Sequence, residues 1–385
     1  MRSLDDFALS KLAELDQQHL RRRIVDTTPI DAVVVERGGR RLVSFSSNDY
    51  LNLAQHPAIK SAARDAIDRF GVGSGASRLV TGSHPLYAEL ETRLARLKGT
   101  EAACVFGSGY LANLGIVPSL VGSDDLVLMD ELSHACLWGG ARLAGATIAV
   151  FRHNDVAHAE KLLAENRAHH RRALILTDGV FSMDGDMAPL AELGSLAQRF
   201  DSWLMADDAH GLGVVGGGHG STFAGEKAAD VPLQMGTLSK AIGAYGGYLC
   251  ASHAVIDLLK TRARTLIYST ALPPAVVAAA IAAIDFIRNN PNYAGMPLAK
   301  AKAFTRQTGL PEAVSPIVPI VIGATDDALA ASRMLEDEGF LVLAIRPPTV
   351  PVDTARLRLT FTAAHADADV ARLADIVRTR VLAAR

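Results

Sequence analysis

From Pro85 to about residue 251 the chain repeats one pattern: a short apolar run, a turn, a helical stretch, then another apolar run. The runs fall at 102–106, 125–129, 146–151, 173–177, 203–206, 233–236 and 247–251. Several are apolar throughout, which predicts strands covered on both faces. Helical periodicity fills most of the gaps, and helical crossovers join parallel strands. The expected fold is therefore α/β, with a doubly wound, mostly parallel seven-stranded sheet that binds ligands at the carboxyl ends of its strands. A chain of 385 residues that is 49% apolar can bury a large core and suggests more than one domain.

The flanks obey other rules. Residues 3–23 read as an amphipathic helix with Leu4, Phe7, Leu12 and Leu15 on one face, Ser3 and Asp6 resembling a capping box. Ala32–Glu36 and Arg41–Phe45 flank Gly38-Gly39 as a hairpin. Ile59–Phe70 is helical, as is Pro85–Lys98, with Pro at its first position and Gly99 past its end. After a helix at 273–289 the pattern changes near Asn289-Asn290-Pro291. A strand at Val318–Ile322, a helix at Asp326–Glu338 and a half-buried antiparallel strand at Arg356–Thr362 follow. Val370, Leu373, Val377 and Val381 mark a last helix. The expected organisation is an N-terminal segment (1–45), a large cofactor-binding domain (46–288) and a smaller α+β domain (289–385).

Net charge is −2 with no long run of one sign, so no nucleic-acid or anionic-membrane surface is expected. Arg21-Arg22-Arg23 reads as cations that offset a helix dipole. Cys104, Cys136 and Cys250 are far apart with no CxxC pair, which points away from disulfides and zinc and toward a reducing cytoplasm. Asp5, Asp6 and Glu14 interrupt any signal-like N-terminus. The longest apolar run, Ala271–Ile284, is too short to span a bilayer. No metal site is expected.

Chemistry-bearing residues collect where strands end. Gly236-Thr237-Leu238-Ser239-Lys240-Ala241-Ile242-Gly243 places a lysine between an apolar run and a glycine-rich turn. Trp203–Ala206 runs into Asp207-Asp208-Ala209-His210. A lysine amine bonds covalently to an aldehyde and an aspartate holds a pyridinium protonated, the two groups that pyridoxal 5'-phosphate (PLP) requires. Gly107-Ser108-Gly109-Tyr110 follows a strand and opens a helix, suited to a phosphate. His134 follows another strand end, where its ring can cover a pyridine face. His210 and Ser182 are placed to reach the cofactor's phenolic oxygen. Gly71-x-Gly73-x-x-Ala76 matches a relaxed dinucleotide fingerprint, but a helix rather than a strand precedes it, so a nicotinamide-dependent reductase is disfavoured.

With these residues in place the chain resembles the α-oxoamine synthases, PLP enzymes of the aspartate-aminotransferase fold (fold type I). The likeness covers Ser46–Leu51, Gly107–Tyr110, Ser133-His134, Asp178–Gly185, Asp207–Gly211, Thr237–Lys240 and Tyr268–Thr270. It implies Lys240 as covalent anchor and base, Asp207 as the pyridinium contact and His134 as the ring stack. Ser108, Gly109, Tyr110, Ser182, His210 and Thr237 are implied as further cofactor contacts, and Arg21, Asn48, Arg346 and Thr349 as substrate contacts. Thr270 is implied to come from the neighbouring subunit of a homodimer with shared active sites, its segment reading as a helix start with free N–H groups. Leu20–Arg23, Ala344–Pro351 and Thr354–Thr360 liken it to the branch that condenses L-alanine with a pimeloyl thioester of coenzyme A or acyl carrier protein. Two departures stand out. Asn52 replaces a glycine, and Thr237–Lys240 with Gly246-Gly247-Tyr248 is closer to branches such as the one joining glycine to acetyl coenzyme A.

Overall fold

The computed structural model describes residues 2–17, 20–22 and 24–383. They form two compact units, Met1–Ser46 with Pro319–Leu359 and Ser47–Val318 with Thr360–Arg385. The helix Pro291–Thr308, beyond the 288/289 boundary drawn from sequence, falls in the larger unit.

The larger unit is built on seven strands: β1 (Ala102–Phe106), β2 (Leu126–Asp130), β3 (Thr147–Phe151), β4 (Ala173–Asp178), β5 (Trp203–Asp207), β6 (Leu233–Thr237) and β7 (Gly247–Ala251). All lie within one residue of the apolar runs. Their order is β1-β7-β6-β5-β4-β2-β3. The pairs from β6 to β3 are parallel, whereas β7 runs antiparallel to both β1 and β6. Side chains alternate between two covered faces. Cys104, Phe106, Met129, Leu176, Met205 and Met235 pack with Ile116, Leu137 and Leu259, while Leu128, Ile175 and Leu204 pack with Leu163, Leu193 and Leu196. Ala103, Val105 and Tyr248 join Leu90, Leu94, Val277 and Ile284. Two-sided burial is why these strands lack polar alternation.

Two flanking expectations are revised. The first helix runs Arg2–Gln17, not 3–23, so Ser3 lies inside its first turn. The N–H groups of Leu20 and Arg21 both turn back to the Leu15 carbonyl, which ends the helical ladder, and Leu20–Arg22 are non-helical. Arg23 lies outside the described residues. The strand Ala355–Thr360 is buried at every position rather than half-buried. It is the middle strand of a three-stranded sheet between Ile317–Gly323 and Leu343–Ile345, so both of its edges are paired. The hairpin is as expected: Val34–Arg37 pairs antiparallel with Arg40–Ser44 around Gly38 and Gly39, both at positive φ.

Candidate active site

Parallel pairing brings the carboxyl ends of β4 and β5 into register, with Asp178 opposite Asp207. Asp207 is buried, yet its partners among the described residues are neutral. Oδ2 accepts from Asn113 Nδ2 at 2.8 Å and Oδ1 from the Ala209 N–H at 3.0 Å. A buried carboxylate ringed by neutral donors suits a cationic ring nitrogen brought by a ligand.

Lys240 sits on the hairpin between β6 and β7. Thr237 anchors that hairpin: Oγ1 donates to the Gly246 carbonyl at 2.7 Å, accepts from the Ser239 N–H at 3.3 Å and lies 2.8 Å from Ser239 Oγ. Lys240 Nζ is 2.8 Å from His210 Nε2, and His210 Nδ1 is 2.7 Å from the Tyr50 hydroxyl. Tyr50 in turn donates to Asn48 Oδ1 at 3.4 Å. A protonated Lys240 can thus donate to His210, His210 to Tyr50, and Tyr50 to Asn48.

His134 caps the helix Ala135–Ala144, which follows β2. Its backbone N–H donates to Asp178 Oδ2 at 2.8 Å. Burial lowers the imidazole's pKa and the Lys240 charge adds to this, while Asp207 opposes it. Burial, with the Asp207 charge, raises Asp178 well above the usual carboxylate range. Two facing carboxyls out of water therefore do not both carry charge readily.

On the next strand end, Ser108 Oγ accepts from the Leu111 N–H at 3.1 Å and caps the helix Gly109–Leu120. A Cβ on Gly109 would lie 3.3 Å from Thr237 Cβ, so glycine lets this phosphate-type turn approach the lysine hairpin. Tyr110 is exposed on the first turn. Ser182 lies in the loop Val180–Met187, closed by the Phe181 N–H to the Asp186 carbonyl and by the Asp184-Gly185 turn, Gly185 at φ +74°. That loop is clamped from outside: His153 contacts Asp186 Oδ2 at 2.7 Å and Asp130 Oδ1 at 3.0 Å.

Thr270 is not at a helix start. It bridges Ser77, the next helix begins at Pro274, and the N–H groups of Ala271 and Leu272 are already taken by the Ala76 carbonyl and the Tyr87 hydroxyl. Arg21, Arg346 and Thr349 belong to the smaller unit. There Arg346 Nη2 donates to the Arg21 carbonyl at 3.1 Å, Arg21 pairs with Asp16, and Arg22 donates to Thr349 Oγ1 at 3.0 Å. Asn52 takes the left-handed conformation that glycine would provide (φ +54°), and its Oδ1 accepts from the Ala364 N–H at 2.8 Å.

Sequence reading missed Asn113, Cys136, Asp178 and Tyr50 as members of this constellation. Asn113 did leave a signal, an amide inside the largely apolar helix Gly109–Leu120. Asp178 left another, since it ends a strand at the same level as Asp207.

Fold and side chains together define a PLP-dependent enzyme of fold type I, and the chain belongs to the aminotransferase class I and II family, whose model matches residues 40–377. Its fold matches a serine palmitoyltransferase from S. paucimobilis solved with a PLP–myriocin aldimine, with a TM-score of 0.92 at 26% identity, covering 100% of this chain and 99% of that one. Within the family it groups with the 8-amino-7-oxononanoate synthases. It is 69% identical over 344 residues to that of Methylocella silvestris (89% of this chain, 97% of the relative). It is 60% identical over 377 residues to that of Beijerinckia indica (98% of each).

Proposed function

We propose that this enzyme condenses L-alanine with a pimeloyl thioester, carried by coenzyme A or acyl carrier protein, releasing thiol and carbon dioxide and giving 8-amino-7-oxononanoate for biotin synthesis. The observation that carries the reading is the convergence of Lys240, His210, Asp207 and His134 at adjoining strand ends. When bound, PLP supplies an electron sink for negative charge at the amino acid's Cα. Lys240 anchors the cofactor and, once released as a neutral amine, takes the proton from Cα. His210 Nε2, 2.8 Å away, orients that amine. Asp207 holds the ring nitrogen protonated, and His134 covers the ring face. Ser108, Gly109, Tyr110 and Thr237 serve the phosphate side, and Ser182 the ring oxygen. Arg346 grips the substrate carboxylate, with Arg21, Asn48 and Thr349 as further substrate contacts.

In this reading the enzyme works in the cytoplasm as a homodimer with shared sites, Thr270 serving the neighbour's phosphate. Exposed apolar side chains support the dimer: Leu79, Val80 and Tyr268 flank the Ser77–Thr270 bridge. Among the described residues no helix is long and apolar enough to cross a membrane.

A matrix of amino acids against acyl thioesters tests the activity. Alanine with a pimeloyl thioester should release thiol and carbon dioxide in equal amounts. Preference for glycine with acetyl coenzyme A would place the chain in the neighbouring branch instead. Mixing Lys240→Ala with an inactive Thr270 variant should restore part of the activity through hybrid dimers, and a fully active monomer would end the shared-site reading.

A further inference from the structure

Behind His134 runs a line of buried polar contacts to which the proposed reaction gives no role. His134 Nδ1 lies 2.7 Å from Cys136 Sγ, Sγ lies 3.0 Å from Asn113 Nδ2, and Nδ2 lies 2.8 Å from Asp207 Oδ2. Asn113, Cys136 and Asp207 are all buried.

Donor and acceptor counting orders this line. The Asn113 amide has two N–H bonds, one for Asp207 and one for the Cys136 sulfur. The single thiol proton then has two acceptors in reach, His134 Nδ1 at 2.7 Å and Asp207 Oδ2 at 3.9 Å, and the imidazole is much the nearer. Burial, with the Asp207 charge, pushes the thiol up to about 12, so it stays protonated and acts as donor. The Cys136 backbone N–H also points at Nδ1, from 3.3 Å. An imidazole whose Nδ1 accepts must, when neutral, carry its proton on Nε2.

We propose that Cys136 is a positioning residue for His134. Its thiol, held by Asn113 and Asp207, fixes the ring's plane and tautomer, so that His134 offers Nε2–H to a substrate carboxylate or acyl oxygen. Asp178 completes the grip by holding the His134 backbone N–H. The inference rests on the reading of His134 as the residue over the cofactor face.

The test uses holoenzyme labelled with ¹⁵N at histidine, the His134 signals being assigned by their loss in His134→Gln. Wild type should show one protonated nitrogen (Nε2) and one unprotonated (Nδ1) for this residue. Cys136→Ala should give averaged tautomer signals and a kcat lower by roughly tenfold, the scale for removing a group that orients a functional histidine. PLP content should stay unchanged, because Cys136 lies behind His134 and none of the proposed cofactor contacts is removed. Cys136→Ser keeps a donor and should restore both the tautomer and most of kcat. A Cys136→Ala enzyme with full kcat and His134 still fixed on Nε2–H overturns the proposal, leaving the backbone N–H sufficient. So does a Cys136→Ser enzyme as impaired as Cys136→Ala, since volume alone would then matter. The underlying reading fails separately, if His134→Gln leaves the visible PLP band and turnover unchanged.

Discussion

Asp208 lies one residue beyond Asp207, and both carboxylates are out of water, but their surroundings differ. Asp208 Oδ2 meets Lys98 Nζ at 2.8 Å, with both side chains at most 1% exposed, and its Oδ1 accepts from the Ser221 N–H at 3.0 Å. Lys98 also donates to the His219 carbonyl at 2.7 Å. Among the described residues Asp207 meets neutral donors alone, the Asn113 amide and the Ala209 N–H, with the Cys136 thiol farther off at 3.9 Å. Removing a carboxylate from water carries an effective penalty of several kcal/mol, which a buried cation offsets at Asp208. At Asp207 the offset must arrive with a ligand. The pair shows how one strand end can serve both cohesion and chemistry, because successive side chains leave the strand in opposite directions.

The sharpest test on the chemical side is Lys240→Ala. It should fold normally and lose turnover by far more than the roughly 10²–10⁴-fold of one positioned proton transfer, since the anchor goes too. Steady-state assay checks it, and activity above a few per cent of wild type would remove Lys240 from its role.

On the cohesive side, Lys98→Met should lose about 3–5 kcal/mol of stability in denaturant unfolding, the scale for stranding one member of a buried pair. Asp207→Asn inverts the pattern. Stability should change by less than about 1 kcal/mol while turnover falls on the order of 10²-fold with PLP still bound, because an amide cannot supply the negative charge. If the two variants gave the same profile, the contrast between the neighbouring aspartates would collapse.

Arg346→Lys keeps charge but not the planar fork. Alanine binding should weaken by about 1.5–3 kcal/mol with PLP content intact. Titration of the PLP band with alanine reads this directly, and unchanged affinity would shift attention to Arg21.

The smallest effect concerns the Ser182 loop. His153 sits between Asp130 and Asp186, whose hydrogen bonds outweigh burial and raise its pKa from 6.5 to about 10. A raised folded pKa means the stabilisation is fully present below about pH 6.5 and disappears as pH climbs to about 10. After screening it should amount to about 1–2 kcal/mol. Unfolding curves across that window should show the decline in wild type and a flatter profile in His153→Gln.

The strands were legible because two-sided burial leaves an unbroken apolar run, and the polar residues gathered at the strand ends because each follows such a run. What escaped notice depends on distant partners. Nothing local to Cys136 announces that Asn113 and His134 meet its sulfur. Arg356 and Arg358 alternate with Leu357 and Leu359 as on a strand with one wet face, but both arginines are buried, so neither face of this strand is open to water. Periodicity overruns the end of the first helix because Leu20 suits a helix as well as the turn back to the Leu15 carbonyl. Thr270 was placed at a helix start by its hydroxyl and the prolines beyond it, but pairing with Ser77 claimed that segment first.

The antiparallel strand β7 has a consequence for how Lys240 moves. Because β7 enters the sheet at Gly247, opposite Phe106 and Thr237, the lysine lies on a hairpin of residues 238–246 whose two legs are both ladder strands. A helical crossover at this point would have hung the lysine on a longer arc. Short closures lose little chain entropy on forming, and segments pinned by interior strands open only in excursions close to global unfolding. Most of the amine's travel should therefore come from its own four methylenes, whose rotations are of the side-chain class, rather than from backbone movement. Amide hydrogens at Leu238 and Ala244 are bonded to the Gly246 and Leu238 carbonyls, and they should exchange more slowly than those of an ordinary surface loop.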